Sequence, residues 1–277
     1  MNEISVMMPV GVPYGAVAFD IAGLEWWALL LLCLAAFAAG WIDAVIGGGG
    51  LIQLPALLLV PGLSPVQALA TNKLASVFGT ATSSITYARK LRPKPREVAP
   101  MAIAAFCAAI AGASLAASLP AEVFTPIIVI ALIVVLLITL LKPSLGAVTR
   151  IKHTGKRRLL ISLAIGIVIG SYDGLLGPGT GTFLVIALVA CIGLNFLQAS
   201  AQAKIVNFAT NLGALVFFIP LGAVMWKLGI SLAIANAVGG FLGARTAMSR
   251  GARYIRIVFV CVVTALIIKL GWDVFSG

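Results

Sequence analysis

At 277 residues, 61% hydrophobic and 10% charged, with a mean hydropathy of +1.14, the chain lies outside the range of soluble globular domains and reads as an all-α polytopic membrane protein. The net charge of +11 would suggest a nucleic-acid partner in a soluble protein. Here the basic residues cluster at the ends of apolar segments, where they act as topology signals, so no nucleic-acid partner is expected.

A helix needs about 20 apolar residues to cross a bilayer. The first 23 residues lack the basic leader, short apolar core and small-residue cleavage site of a secretory signal, so insertion is expected from the spans themselves. The first span is expected at 26–46 and ends in GWIDAVIGGGG, where Asp43 precedes Gly47, Gly48, Gly49 and Gly50. A stretch at 51–60 is too short for an ordinary span. A segment at 65–88 opens on Ser64-Pro65 and carries Thr71, Asn72 and Lys73. After the basic cluster Arg89, Lys90, Arg92, Lys94 and Arg96, spans are expected at 98–118 and 121–141.

A basic stretch, 142–158, holds the only histidine, His153, and reads as a solvated cytoplasmic linker. Beyond it a span at 159–176 runs into Asp173 and GLLGPGTG, with Gly177, Gly179, Thr180 and Gly181. A second short stretch, 180–193, precedes spans at 196–219, which carries Lys204 and Asn207, at 228–248 and at 254–272. Cys33, Cys107, Cys191 and Cys261 sit in apolar runs without CxxC spacing and read as packing or lipid-facing residues. With one histidine, no HExxH and no GxSxG beside a histidine, neither a metal, a cofactor nor an enzyme activity is expected.

The chain repeats at an offset of 130 to 131 residues. Gly40, Asp43, Gly47 and Gly49 recur as Gly170, Asp173, Gly177 and Gly179, and GLSPVQALATNK recurs as GLNFLQASAQAK. Two fused halves are expected, about 24–141 and 159–272. Their basic loops fall at non-equivalent turns: the first half has its cluster near 89–96, the second has Lys227 there and Arg245, Arg250, Arg253 and Arg256 one turn later. If basic loops face the cytoplasm, the halves are inverted repeats. Inversion requires the short segments to cross, giving about five segments per half, each half with a glycine-interrupted short helix, and both termini outside. The alternative makes the short segments re-entrant, leaving eight spans and parallel halves.

Irregular backbone inside a membrane is tolerated only where protein buries it or water reaches it. Gly47 to Gly50 and the second glycine turn are therefore expected to line a cavity, with helix N-termini and their unpaired N–H groups aimed into it. Paired interrupted segments in corresponding places of two halves point to a transporter's midplane site. Lys73 and Lys204 each follow a helix start by about nine residues, roughly 13 Å, near the middle of the bilayer. A buried lysine needs a partner. Asp43 or Asp173 in structural ion pairs, an anionic solute, or each in turn would serve. Asn72, Ser76 and Thr80, and Lys204, Asn207 and Asn211, fall on single helix faces, where they meet either substrate or a neighbouring helix. Gly79, Gly112, Gly166, Gly170, Gly239, Gly240 and Gly243 read as close helix contacts.

DAVIGGGGLIQLPALL with ALATNK, then GSYDGLLGPGTGTFLV with AQAKIVNFATN, resembles the sulfite exporter TauE/SafE family over nearly the whole chain. The resemblance implies a bacterial or archaeal cytoplasmic-membrane transporter of small anions, among them sulfite, sulfonates such as sulfoacetate, and thiosulfate. Carried over by position, it places Asp43, Gly47 to Gly50, Thr71, Asn72 and Lys73 in the first motif and Asp173, Gly177 to Gly181, Lys204 and Asn207 in the second. The expectation is a secondary transporter working by alternating access, with Asp43 and Asp173 as candidates for proton coupling. A passive anion channel and a carrier of a non-sulfur organic anion are the alternatives. The expected partners are a small anionic solute and the lipid bilayer, with a homodimer left open.

Overall fold

The computed structural model describes residues 24–120, 122–123, 126–127, 130 and 151–250. Most of the expected segment 121–141, and all of 254–272, lie outside the described residues. Eight α-helices are seen in the rest: α1 Trp26–Ile46, α2 Gly50–Leu58, α3 Pro65–Leu91, α4 Pro95–Ser118, α5 Gly155–Leu175, α6 Thr180–Ala187, α7 Phe196–Phe218 and α8 Trp226–Arg250. A π-helical turn, Leu188–Ile192, extends α6. The expected spans match the long helices, but several helices overrun them. α3 runs on to Leu91, α4 begins at Pro95 and α5 begins at Gly155, because a helix keeps its own backbone bonds past the point where the sequence turns polar.

Local chemistry sets the helix starts. Ser64 Oγ accepts from the Gln67 N–H at 3.2 Å while Gln67 Oε1 accepts from the Ser64 N–H at 3.0 Å, a reciprocal cap with Pro65 at the first helical position. The equivalent Asn195 Oδ1 accepts from the Gln198 N–H at 2.9 Å at the start of α7. Both caps place a lysine at the ninth residue of its helix, Lys73 in α3 and Lys204 in α7.

Among the described residues, α1, α4, α5 and α8 are long and apolar enough to cross a membrane. They turn Leu30, Leu31, Ile103, Leu160, Val168 and Ile234 outward, an exposed apolar surface that suits lipid rather than water. α3 and α7 are as long but more polar, because they form the centre. They pack on each other, and Lys73, Lys204, Thr80, Ser83, Asn207, Thr210 and Asn211 are buried. The chain is thus an all-helical membrane protein with its polar residues inside and its apolar residues outside.

The helices of the two halves interlock. α4 packs on α5 and α7 of the second half, and α8 packs on α1 and α3 of the first. The contacts recur with the halves exchanged. A Cβ at Gly112 would lie 2.1 Å from the Ser171 carbonyl oxygen, and one at the equivalent Gly243 would lie 2.3 Å from that of Trp41. Gly40 meets Asn236 as Gly170 meets Ala105, and Gly213 presses on the Phe106 carbonyl where its counterpart Thr82 donates to the Ala237 carbonyl at 2.9 Å. These glycines bring backbones together, the packing role expected from the sequence for Gly112, Gly170 and Gly243.

The order of these contacts gives helix direction. Gly239 and Gly243 of α8 meet Phe37 and Trp41 of α1 in ascending order, and Gly229 and Gly240 of α8 meet Leu74 and Gly79 of α3 likewise. α1, α3 and α8 therefore run the same way. Gly166, Gly170 and Gly174 of α5 meet Met101, Ala105 and Ala109 of α4 in ascending order, so these two helices also share a direction.

Candidate functional site

Both glycine turns end a helix and start a short one. α1 closes on Gly47 at φ 95°, and α5 runs through Leu176 into Gly177 at φ 89°, left-handed conformations that favour glycine. The two turns touch. A Cβ on Gly181 would lie 2.5 Å from the Gly47 Cα, and the Thr182 N–H donates to the Gly47 carbonyl at 3.0 Å while its hydroxyl donates to the Ile46 carbonyl at 3.1 Å.

Around this junction lies a polar cavity lined by Asp43, Gly47, Gly49 and Gly50 from the first turn and by Asp173, Gly177, Gly179, Thr180 and Gly181 from the second. Asn72, Lys73 and Ser76 line it from α3, Asn207 and Asn211 from α7, and Asn236 from α8. The two glycine turns, with the helices on either side of them, and α3, α7 and α8 make one site drawn from both halves.

The lysines are paired across the halves. Lys73 Nζ lies 2.7 Å from Asp173 Oδ2, with side chains 1% and 2% exposed. Lys204 Nζ lies 2.8 Å from Asp43 Oδ2, with side chains 1% and 16% exposed. Each lysine of one half thus neutralises the carboxylate of the other, and the four charges, three of them buried, sum to zero. The two pairs differ in their second contacts. Thr180 donates to Asp173 Oδ1 at 2.6 Å, whereas the equivalent of Thr180 in the first half is Gly50, and Asp43 Oδ1 receives only a long contact of 3.4 Å from the Gly49 N–H. Asp43 is accordingly the more open carboxylate.

Several expected residues are placed elsewhere. Thr71 is fully buried away from the cavity, where its hydroxyl accepts from the Met225 N–H at 3.1 Å and secures the start of α8. Gly48 does not line the cavity, and its carbonyl accepts from the Leu51 N–H. Lys204 reaches the site only through Asp43. The unpaired N–H groups expected at the short helices are partly engaged: Leu51 and Ile52 donate to Gly48 and Gly49, and Thr182 donates to Gly47. The short segments start with tight turns that close on themselves, which leaves fewer N–H groups for a solute than a plain helix end would. Thr80 bonds its own helix at Ser76 and Val77, while Ser76 and Asn211 do face the cavity.

Asn236 went unrecognised in the sequence. A lone amide in the apolar run SLAIANAVGG was its only signal, and an intramembrane polar residue of that kind is expensive enough to call for a role.

A helical, lipid-facing chain whose glycine turns and paired ions surround a central polar cavity defines a polytopic membrane transport protein. The Sulfite exporter TauE/SafE family model matches residues 32–270. The chain is 39% identical over 242 residues to a probable membrane transporter protein, ORF9, of Sinorhizobium sp, which covers 87% of this chain and 92% of that one. It is 34% identical over 245 residues to a probable membrane transporter protein of Haemophilus influenzae, covering 88% and 95%. It is 35% identical over 246 residues to the probable membrane transporter protein YfcA of Escherichia coli, covering 88% and 89%. No solved structure matches it. The chain belongs to the sulfite exporter TauE/SafE family and is a membrane transporter.

Proposed function

We propose that this transporter is a secondary carrier of small sulfur-containing oxyanions, sulfite or organosulfonates such as sulfoacetate, which bind at the central cavity. The observation that carries this reading is the pair of cross-half ion pairs at one polar cavity. With both carboxylates ionised the site is neutral. A proton on Asp43 or Asp173 would release a lysine, leave one uncompensated positive charge inside the protein, and so create a demand for an anion. Anion and proton would then move together, and the carboxylate would recapture the lysine when both have left.

The two halves in this reading are inverted repeats. α3 and α4 are joined only by residues 92–94, which reach about 10 Å, too short to link two long helices crossing in the same direction. α4 and α5 therefore run opposite to α1, α3 and α8, and the first helix of one half opposes the first helix of the other. Because α1 and α3 share a direction, the short segment between them must return across the membrane, as must its counterpart α6. With basic loops on the inner side of a bacterial or archaeal cytoplasmic membrane, this reading has both termini outside. Alternating access would be a movement of one interlocked set of helices against the other.

Uptake of radiolabelled sulfite and sulfoacetate into proteoliposomes tests the reading, with and without a pH gradient. Saturable uptake stimulated by the gradient and lost in Lys73→Ala and Lys204→Ala is expected. Undiminished transport in the double variant would remove the lysines from the mechanism.

A further inference from the structure

Gly40 of α1 and Gly79 of α3 make room for one residue of α8. A Cβ at Gly79 would lie 1.8 Å from Asn236 Oδ1, and one at Gly40 would lie 2.9 Å from the same oxygen and 2.1 Å from the Asn236 carbonyl oxygen. The slot holds Asn236, 4% exposed, at the wall of the cavity. Its Nδ2 donates to Gln53 Oε1 at 2.6 Å. Gln53 belongs to α2, is 1% exposed, and has an Nε2 with no hydrogen-bond partner. One N–H of the Asn236 amide is committed to Gln53, and a primary amide carries two.

The repeat shows that the fold accommodates other groups at the corresponding positions. The position equivalent to Asn236 is Ala105, which lies against Gly170 as Asn236 lies against Gly40. The position equivalent to Gln53 is Phe183, packed edge-on against Tyr172 with ring centroids 5.2 Å apart. One half has apolar residues at both positions. The other keeps two buried amides, although a buried polar group without a partner is costly.

We propose that Asn236 is a substrate-contacting residue of the transport site, donating its second N–H to an oxygen of the bound oxyanion, and that Gln53 is the positioning residue that orients it. The inference rests on the anion-transport reading above and extends it to a residue outside both glycine motifs. An ionised oxygen accepts a stronger hydrogen bond than a neutral one, and a neutral amide supplies that bond without a further charge to be compensated when the site empties. Asn72, at the same cavity and 3% exposed, is a second amide there, carried by α3.

The test uses the full chain in proteoliposomes with radiolabelled sulfite as the probe and compares KM with kcat. Asn236→Ala is expected to raise KM about tenfold, the loss of one hydrogen bond to a charged acceptor, with kcat held within about twofold because the contact serves binding rather than movement. Asn236→Ser should fall between that variant and wild type, and Gln53→Met should raise KM by a smaller factor. An unchanged KM in Asn236→Ala, with uptake still abolished by Lys73→Ala, overturns this inference and leaves the transport reading standing. No saturable uptake of either sulfite or sulfoacetate by the wild-type protein overturns both. If Asn236→Ala does not fold, Asn236→Ser and Gln53→Met decide the matter by the same comparison.

Discussion

Lys73 and Asp173 lie 2.7 Å apart, yet 100 positions of sequence separate them and they belong to different halves of the chain. Lys204 and Asp43 repeat the relationship at 2.8 Å with the halves exchanged. The ion pairs therefore join the two halves at the cavity, so the groups that hold the interior together are the same groups that a solute would have to address.

Removing one member of a buried pair leaves an uncompensated charge, at a cost of about 3–5 kcal/mol, whereas replacing both with apolar residues is often neutral. Asp173→Asn is expected to lower the thermal unfolding midpoint of the detergent-solubilised protein sharply. Lys73→Met combined with Asp173→Leu should recover most of that midpoint and carry no anion. Transport by the stable double variant would show that this pair serves the fold alone.

The two pairs should not be equally sensitive. Asp43 is 16% exposed and lacks the threonine donor that Asp173 has. Asp43→Asn is expected to destabilise less than Asp173→Asn, by about 1.5–3 kcal/mol, the worth of one hydrogen bond to a charged group. Thr180→Val should narrow that gap. Unfolding of the three variants under one set of conditions measures it, and equal losses for the two aspartate variants would contradict the asymmetry.

Glycine replacements separate turn strain from crowding. Gly47 and Gly62 both have positive φ, 95° and 81°, but a Cβ at Gly47 would lie 2.2 Å from the Gly181 carbonyl carbon, while one at Gly62 meets nothing within 4 Å. Gly62→Ala should cost about 1 kcal/mol, the conformational penalty alone. Gly47→Ala should abolish the monodisperse peak in size-exclusion chromatography, because the clash is with main chain that has no rotamer to move.

The inverted arrangement makes a topological prediction. Single cysteines at Lys94 and Pro220, exposed residues between α3 and α4 and between α7 and α8, are placed in a background where Cys33, Cys107, Cys191 and Cys261 are replaced. A membrane-impermeant maleimide applied to intact cells should label position 220 at once and position 94 only after permeabilisation. Labelling of both from one side would require parallel halves.

Much of the architecture was legible because membranes impose simple rules. Hydropathy located the outer helices, since lipid-facing residues must be apolar, and the capping residues Ser64 and Asn195 marked the starts of α3 and α7. The repeat was legible because its glycines and lysines answer to the same close contacts twice. Thr71 lies off the cavity for a physical reason: it sits beside Asn72 and Lys73 in sequence, but consecutive helical residues point about 100° apart, and its hydroxyl accepts from the Met225 N–H. Asn236 was missed because its significance lies in Gly40, Gly79 and Gln53, three residues on three other helices.

By itself the sequence determined that this chain is a helical membrane protein, that it is built from two related halves, and that each half carries an aspartate, a glycine turn and a lysine at corresponding places. Those conclusions rest on local chemistry and on a comparison of the chain with itself. Only the tertiary structure decided that each lysine takes the other half's aspartate and that one pair is sealed by Thr180 while the other stands open at Gly50. Partner choice between like groups is a matter of distance and burial, and neither quantity exists until α1, α3, α5 and α7 have packed.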